Sequence, residues 1–377
     1  MNDTSNHSLL APARRSHVLT ALSRDGVVRI SQLGEELGVS PITLRRDLAR
    51  LESEGLLVRI HGGAVAPDAS AQGESEDEAA QSMKARTIAV LVPSLNYYWP
   101  EVIQGMEKES QRHGVRLLVR SASYSLQDER PILERFVNTE EVDGLIVAPN
   151  SDTPHTQDVV QWLAECAVPS VLVEREATVL PGNEPVESVT TDHALGALLA
   201  ARHFADLGHR TVGLVISRDS PTSRKISQGW ETACRELRLT PLEHFESFLP
   251  ERTSPKFSAA VDAALETAVK RGTTALLVHP DEEALAFADL ALARGIRVPE
   301  DLSIIAYDDE VASMFTPALT AVRPPRIALG EGAVELLLRR IDDPTRPIHR
   351  VTVNPRLNVR DSTASVPLTA TSSSHKR

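Results

Sequence analysis

Thr43, Arg45, Arg46 and Arg50 fall within eight residues of one another in the run SPITLRRDLARLESEGLLVRIHGGA, Ser40 to Ala64. Guanidinium groups so spaced can hold phosphate oxygens by charge and read a guanine edge through two parallel N–H bonds. A second set suits a hydroxyl-bearing ligand: Asn96, Tyr98 and Trp99 together, Glu174-Arg175, and Asp308. An amide bonds hydroxyls, aromatic faces cover the C–H side of a sugar ring, and carboxylates or guanidiniums engage two neighbouring hydroxyls. Catalytic chemistry is poorly represented. There is no phosphate loop, Gly-x-Ser-x-Gly, His-Glu-x-x-His or metal-ligand spacing, so neither cofactor nor metal is expected. Asp308 and Asp309 are neighbours on a strand end and point to opposite faces, which makes them poor acid–base partners.

The arginines need a helix to present them. Ser40 is a good N-cap, and Pro41 fits the first helical position, where its missing N–H costs nothing. Leu44, Leu48 and Leu51 repeat at helical spacing and mark a buried stripe. At about 100° per residue, Ile42, Arg46 and Arg50 fall opposite that stripe and Arg45 on its flank. Gly55, a β-rich run Leu56–Ile60 and the turn His61-Gly62-Gly63 then read as a wing. Upstream, Val18, Leu19 and Leu22 mark a first helix (about Arg14–Ser23) and Val27–Ile30 a short strand. Ser31 is the expected cap of a second helix carrying Leu33 and Leu37, and Gly38-Val39 makes the turn into Ser40. An arginine-rich surface helix alone would be commonplace. Helix, helix, turn, helix and wing within about 50 residues is the winged helix-turn-helix plan, whose last helix enters the major groove.

The run VSPITLRRDLARLESEGLLVRIHGGA closely resembles the DNA-binding signature of the DeoR family of bacterial regulators, over about Arg14–Val65. Its Val-Ser, Leu-Arg-Arg-Asp-Leu and His-Gly-Gly-Ala elements stand in order. The resemblance implies Thr43, Arg45 and Arg46 as DNA contacts, with Arg59 and His61 on the wing; Ser40, Ile42, Arg50 and Gly62 complete the candidate set. The expected partner is a double-stranded DNA operator. A net charge of −12 suits that reading only once it is divided. Residues 1–66 hold eight arginines against seven acids, a net of +1, so the rest carries −13. An acidic body with one locally basic face fits DNA contact confined to a small module.

At about 150 residues per domain, 377 residues suggest two or three domains. Hydrophobic content of 41% with 24% charged residues is ordinary for a soluble globular protein. Residues 67–84 carry five acids and almost no apolar side chains, and read as a flexible acidic linker. Residues 1–13 and the Ser/Thr-rich 363–377 read as disordered ends. Cys166 and Cys234 lie far apart without a CxxC and are expected as buried free thiols. No basic start with a long apolar run and no apolar stretch of about 18–20 residues is present, so a cytoplasmic chain is expected.

From Thr87 onward β-type runs alternate with helical ones: strands at Thr87–Val92, Val115–Arg120, Gly144–Ala148 and Ser170–Val173, helices at Glu101–His113, Asp128–Thr139 and about Asp158–Glu165. After a helix Ala194–Leu207 a second series begins. Its strands are Val212–Ile216, Ala275–Val278 and Ser303–Tyr307, and its helices lie near Ser227–Leu237, Ser258–Arg271 and Glu282–Arg294. Repeated βαβ units imply parallel sheets covered on both faces. Two series of about 100 residues suggest two Rossmann-like lobes with a cleft between them, and the lack of GxGxxG after the first strand weakens a dinucleotide reading.

Residues 86–362 resemble the sensor domain of LacI/GalR repressors, itself similar to periplasmic sugar-binding proteins. The matching stretches are Asn96-Tyr-Tyr-Trp99, Val142-Asp-Gly-Leu-Ile146, Leu172-Val-Glu-Arg175, Leu207-Gly-His-Arg210, Val298-Pro-Glu-Asp-Leu302, Tyr307-Asp-Asp309, Thr316-Pro-Ala-Leu-Thr320 and Val359-Arg-Asp-Ser362. The expected fold is thus α/β: a winged helix-turn-helix (14–66) followed by a two-lobed, periplasmic-binding-protein-like sensor (85–362). The likeness adds Asp281 and Arg323 to the ligand set. There are departures. Ile226 stands where the family often has arginine ahead of Gln228-Gly229-Trp230, with Arg224 as the nearest substitute; Pro280 replaces the usual polar residue before Asp281; Glu174 stands where aspartate is common. The expected function is a DNA-binding transcriptional regulator of the repressor kind, acting as a homodimer and controlled by a sugar-like effector. The competing reading is a sugar or sugar-phosphate enzyme with an autoregulatory DNA module.

Overall fold

The computed structural model describes residues 11–60, 63–66, 86–122, 128–150, 156–218, 220–239, 245–250 and 252–366. Leucine spacing builds the N-terminal module: α1 (Ala11–Asp25), β1 (Val27–Arg29), α2 (Ile30–Leu37), α3 (Pro41–Ser53), β2 (Val58–Ile60) and β3 (Gly63–Val65). Val18, Leu22, Leu33, Leu44, Leu48, Leu51 and Leu57 meet in one core. In the small sheet β3 lies between β1 and β2, antiparallel to both. A Cβ on Gly63 would stand 1.9 Å from the Val28 carbonyl oxygen, so glycine is what lets β3 approach β1.

Three details differ from expectation. The first helix starts at Ala11, so residues 11–13 are not a loose end. The second starts at Ile30; Ser31 is inside it, and Arg29 at the N-cap place makes no side-chain cap bond. The wing strand is three residues long, with Leu56 exposed ahead of it and Leu57 in the core. The turn residues His61 and Gly62, the linker 67–84, residues 1–10 and the tail beyond Val366 lie outside the described residues.

The body begins with β4 (Thr87–Val92), α4 (Trp99–Arg112), β5 (Arg116–Ser121), α5 (Arg130–Thr139), β6 (Gly144–Val147), α6 (Thr156–Glu165) and β7 (Ser170–Val173). A short hairpin, β8 (Thr178–Val179) and β9 (Glu184–Pro185), leads to β10 (Ser188–Thr191), α7 (His193–Asp206), β11 (Val212–Ser217) and α8 (Ser223–Glu236). Then come β12 (Phe245–Leu249), α9 (Phe257–Lys270), β13 (Ala275–His279), α10 (Asp281–Ala293), β14 (Ser303–Tyr307) and β15 (Thr320–Arg323). The chain closes with α11 (Arg326–Asp342), β16 (Arg350–Val353) and β17 (Arg356–Asn358). β8, β9, β10, β12, β15, β16, β17 and α11 have no counterpart in the sequence-based expectation.

Among the described residues the chain divides into two compact units. The first takes the chain up to Leu95, Met106–Ser188 and Glu331–Arg350; the second takes Asn96–Gly105, Val189–Gly330 and the chain from Val351 on. The two series are therefore interleaved, not successive, and the chain passes between units five times, after residues 95, 105, 188, 330 and 350. In the first unit β7, β6, β4 and β5 run parallel in that order. Every residue of β4 and β6 is buried, as central strands covered on both faces require.

The second unit has the sheet order β12-β11-β13-β14-β15-β17, parallel except for β17 against β15. Phe287, Val261 and Leu265 pack on one side of this sheet, Phe204 and Trp230 on the other. α7 and α8 come so close that a Cβ on Gly229 would lie 2.5 Å from Ala194 Cα. The tail does not come loose at Thr363 as expected. His203 holds Thr363 at 2.9 Å, and the Val366 N–H donates to Leu207 O at 3.1 Å. No helix among the described residues is long and apolar enough to cross a membrane.

Candidate DNA-reading face and effector-binding residues

Ser40, in extended conformation, caps α3: its Oγ accepts the Thr43 N–H at 3.3 Å and lies 3.0 Å from Thr43 Oγ1. Arg14 Nε meets Asp47 Oδ2 at 2.8 Å and ties α1 to α3, a pairing that nothing in the sequence marked. Arg50 pairs with Glu54 at 3.0 Å. Arg59 on the wing strand pairs with Glu52 at 2.6 Å, and the same carboxylate accepts its backbone N–H, which fixes the wing to the end of α3. Ile42 lies in the first turn of α3.

Arg45 and Arg46 rest on the protein itself. Arg46 Nη2 donates to Glu165 O at 3.0 Å, and Arg45 Nη1 donates to Val137 O at 3.4 Å. Both carbonyls lie in the last turn of a helix, α6 and α5 respectively. Helix C-termini expose unpaired carbonyls and a partial negative charge, a weak likeness of a phosphate. Burial lowers the Arg45 pKa despite nearby acids. Cys166 follows α6 half-buried, not fully buried as expected, and burial raises its thiol pKa, with Arg45 and Arg46 pulling the other way.

In the second unit a polar cluster forms where β13 and β14 end. Asp281, the first residue of α10, is fully buried. Its Oδ2 accepts the N–H groups of Glu310, Val311 and Ala312 at 2.7, 2.8 and 3.0 Å, and its Oδ1 takes a short hydrogen bond from the Tyr97 hydroxyl. A residue expected to face an effector thus holds the chain's own 310–312 turn. Asp308 follows β14 with φ 100° and is 4% exposed. Its Oδ2 lies 3.3 Å from the Tyr97 hydroxyl and 3.5 Å from His279 Nε2. Burial and the Asp281 charge push the Asp308 carboxyl well above the usual range, with Arg326 opposing. Burial, Asp308 and Asp281 likewise push the Tyr97 phenol up. His279 is neutral, because burial and neighbouring His193 bring its pKa down to about 3.

Glu101 joins two arginines. Arg323 Nη2 reaches its carboxylate at 2.9 and 3.0 Å, and Arg326 Nε at 2.8 Å. Arg326 is buried; it also donates to Asp308 O at 2.5 Å, lies 3.1 Å from Glu310 Oε1 and stacks 5.5 Å over the Tyr98 ring. Burial opposes its charge, and Glu310 with Glu101 outweighs that and raises its pKa. Asp309 is held by Arg360 at 2.7 Å and Asn358 at 2.6 Å. Trp99 is 2% exposed and packs edge-on to Tyr98, so it is core rather than a platform. Asn96 and Arg224 are exposed, and Ile226 is fully buried in the core.

In the first unit Glu174 follows β7 with φ 57° and is buried. Arg175 donates from Nε to Pro149 O at 2.9 Å and from Nη1 to Glu174 O at 3.0 Å. Sequence reasoning missed Tyr97, Glu101 and Arg326. Tyr97 stands among quoted residues, but its φ of 60° is a backbone turn no motif announces. Nothing local marks a partner 225 residues away, as Arg326 is from Glu101. No group of three His, Cys, Asp or Glu side chains among the described residues is placed to hold a metal.

A DeoR-like helix-turn-helix domain model matches residues 14–70, and a periplasmic binding protein-like domain model matches residues 201–363. The HTH-type transcriptional repressor PurR of Photobacterium profundum is 30% identical over 294 residues, covering 75% of this chain and 84% of that protein. The arabinose metabolism transcriptional repressor of Geobacillus stearothermophilus is 25% identical over 341 residues, 89% of this chain and 90% of the relative. Among solved structures, the LacI family transcriptional regulator of Enterococcus faecium with bound ribose superposes with a TM-score of 0.61 at 24% identity, over 74% of this chain and 100% of that one.

Proposed function

The chain belongs to the family of LacI- and PurR-type transcriptional repressors and carries a DeoR-like reader, and on that premise we propose that a neutral, hydroxyl-rich effector of the sugar class controls its DNA binding. The observation that carries the effector class is the Asp308–Tyr97 contact. It offers a buried carboxyl oxygen that accepts from a hydroxyl, while the arginines around it already have carboxylate partners. A sugar hydroxyl is that kind of donor, and a phosphate is not. The ribose on the E. faecium regulator and the name of the Geobacillus repressor point to the same class.

On this reading Thr43, Arg45, Arg46, Arg50 and Arg59 face DNA, with Ser40, Ile42, His61 and Gly62 beside them. Asn96, Tyr98, Asp308 and Arg323 in one unit, and Glu174 and Arg175 in the other, are the effector-contacting candidates, together with the exposed Arg224. The protein is a homodimer, cytoplasmic, and a sensor rather than an enzyme. Against turnover, Asp281 and Asp309 are tied into the chain's own hydrogen bonds and ion pairs. A thermal-shift screen of pentoses, hexoses and disaccharides, paired with DNA-binding measurements, tests the proposal. An effector at 100 times its dissociation constant adds about 2.7 kcal/mol of stability. Asp308→Ala and Arg175→Ala are expected to weaken it by roughly ten- to a hundredfold each with DNA binding retained. A panel in which no sugar shifts melting or DNA affinity sinks the proposal.

A further inference from the structure

Tyr97 occupies an unusual place in the second unit. Its φ of 60° is left-handed, a conformation that costs a bulky residue about 1–2 kcal/mol and persists only where surroundings hold it. What holds it is the phenol hydroxyl, which donates to Asp281 Oδ1 and stands 3.3 Å from Asp308 Oδ2. The two carboxylates are not equally dependent on it. Asp281 Oδ2 has three backbone N–H donors, so that side chain stays fixed whatever Tyr97 does. The Asp308 carboxylate has the phenol hydroxyl and, at 3.5 Å, the neutral His279 ring. Tyr97 as a residue is of intermediate burial, and it is its phenol that burial affects most.

We propose that the Tyr97 hydroxyl and an effector hydroxyl compete for the same oxygen of Asp308, so that Tyr97 sets effector affinity. The inference rests on Asp308 being an effector contact, as argued above. A phenol and a sugar hydroxyl are the same kind of neutral donor to a carboxyl oxygen, so effector binding exchanges one hydrogen bond for another and gains only the difference between a well-formed bond and the long 3.3 Å contact of the phenol. The exchange needs only a small movement. The phenol can keep its single proton on Asp281 Oδ1 while giving up the 3.3 Å contact with Asp308. Tyr97 thereby filters effectors: a compound must add contacts elsewhere before it binds at all.

The test uses the full-length protein with D-ribose, L-arabinose, D-glucose and cellobiose as probes, by calorimetry. Any sugar that binds the parent is expected to bind Tyr97→Phe about tenfold more tightly, and Asp308→Asn at least tenfold more weakly. Equal or weaker binding to Tyr97→Phe overturns the proposal, because the hydroxyl would then be a bystander or a direct effector contact. If no probe binds any form, the sugar-effector reading fails, and Tyr97 is decided by melting without sugar. Tyr97→Phe, Asp308→Asn and the double variant must then show non-additive shifts; additive shifts mean that the hydroxyl does not engage Asp308 and overturn the proposal on their own.

Discussion

Glu283 lies in the first turn of α10, buried, with its Oε2 lacking a hydrogen-bond partner. Burial pushes this carboxyl up to about 7 from an ordinary value near 4.5. The folded chain therefore holds that proton more tightly than the unfolded one, so the stability it contributes is present below about pH 4.5 and is lost as pH rises through 7. Glu283→Gln keeps the shape without the charge. We expect it to change stability little at pH 5 and to raise it at pH 8 by up to about 3 kcal/mol, measured by denaturant unfolding. An equal effect at both pH values would show that the carboxylate has found a partner. His279 works in the opposite sense: with its folded value near 3, below an ordinary 6.5, stability falls as pH drops below about 6.5. The buried places of Asp308 and Arg175 just after strands were legible in the sequence, because strand ends in α/β sheets gather polar groups. What hid Tyr97 was backbone geometry, since a left-handed residue turns its side chain away from the direction its neighbours suggest.

Among the elements, α3 is the one that its local sequence determines most closely. Its leucine stripe, proline and serine cap set its start to the residue, and its buried face follows the expected spacing. We expect Arg46→Ala to weaken binding to an operator selected from random duplexes by roughly 1–3 kcal/mol, with a smaller loss on random DNA, if Arg46 reads a guanine edge. Arg45→Ala is expected to weaken both alike, as a phosphate contact does; the reverse pattern would exchange the two roles. Both arginines must also leave the ends of α5 and α6, and Cys166 reports that step. Cys234 is buried with its thiol pushed up to about 12, so Cys166 is the thiol that a disulfide reagent reaches first. A random duplex at low salt is expected to speed its labelling several-fold, and an unchanged rate would mean the reader meets DNA without releasing those carbonyls. Strands β4, β7 and β14 matched the sequence to the residue, because uninterrupted apolar runs leave little choice of boundary. The helix α11 escaped notice: Gly330 and Gly332 interrupt its early turns, and its apolar face is defined only by a sheet assembled from distant segments.

For the whole molecule, one winged helix covers little DNA, so specific binding is expected to need a homodimer on an inverted or direct repeat. Sedimentation that finds a monomer both free and on DNA would remove that expectation. The two series of βαβ units were visible in the sequence, but the interleaving was not, since the segments 96–105, 331–350 and the chain from Val351 on are placed by contacts far along the chain. That interleaving has a consequence for ancestry. The reading module is joined to the rest through a single stretch, residues 67–85, whereas the units of the body are laced together by five passages. Recombination within that stretch would hand a whole reader to a new sensor with every internal contact of both intact. A crossover inside the body would splice fragments of two folds at once. A DeoR-like reader on a LacI-like body is a combination that this asymmetry permits: one exchange within residues 67–85 would replace the reader and leave the chain of the sensor unbroken.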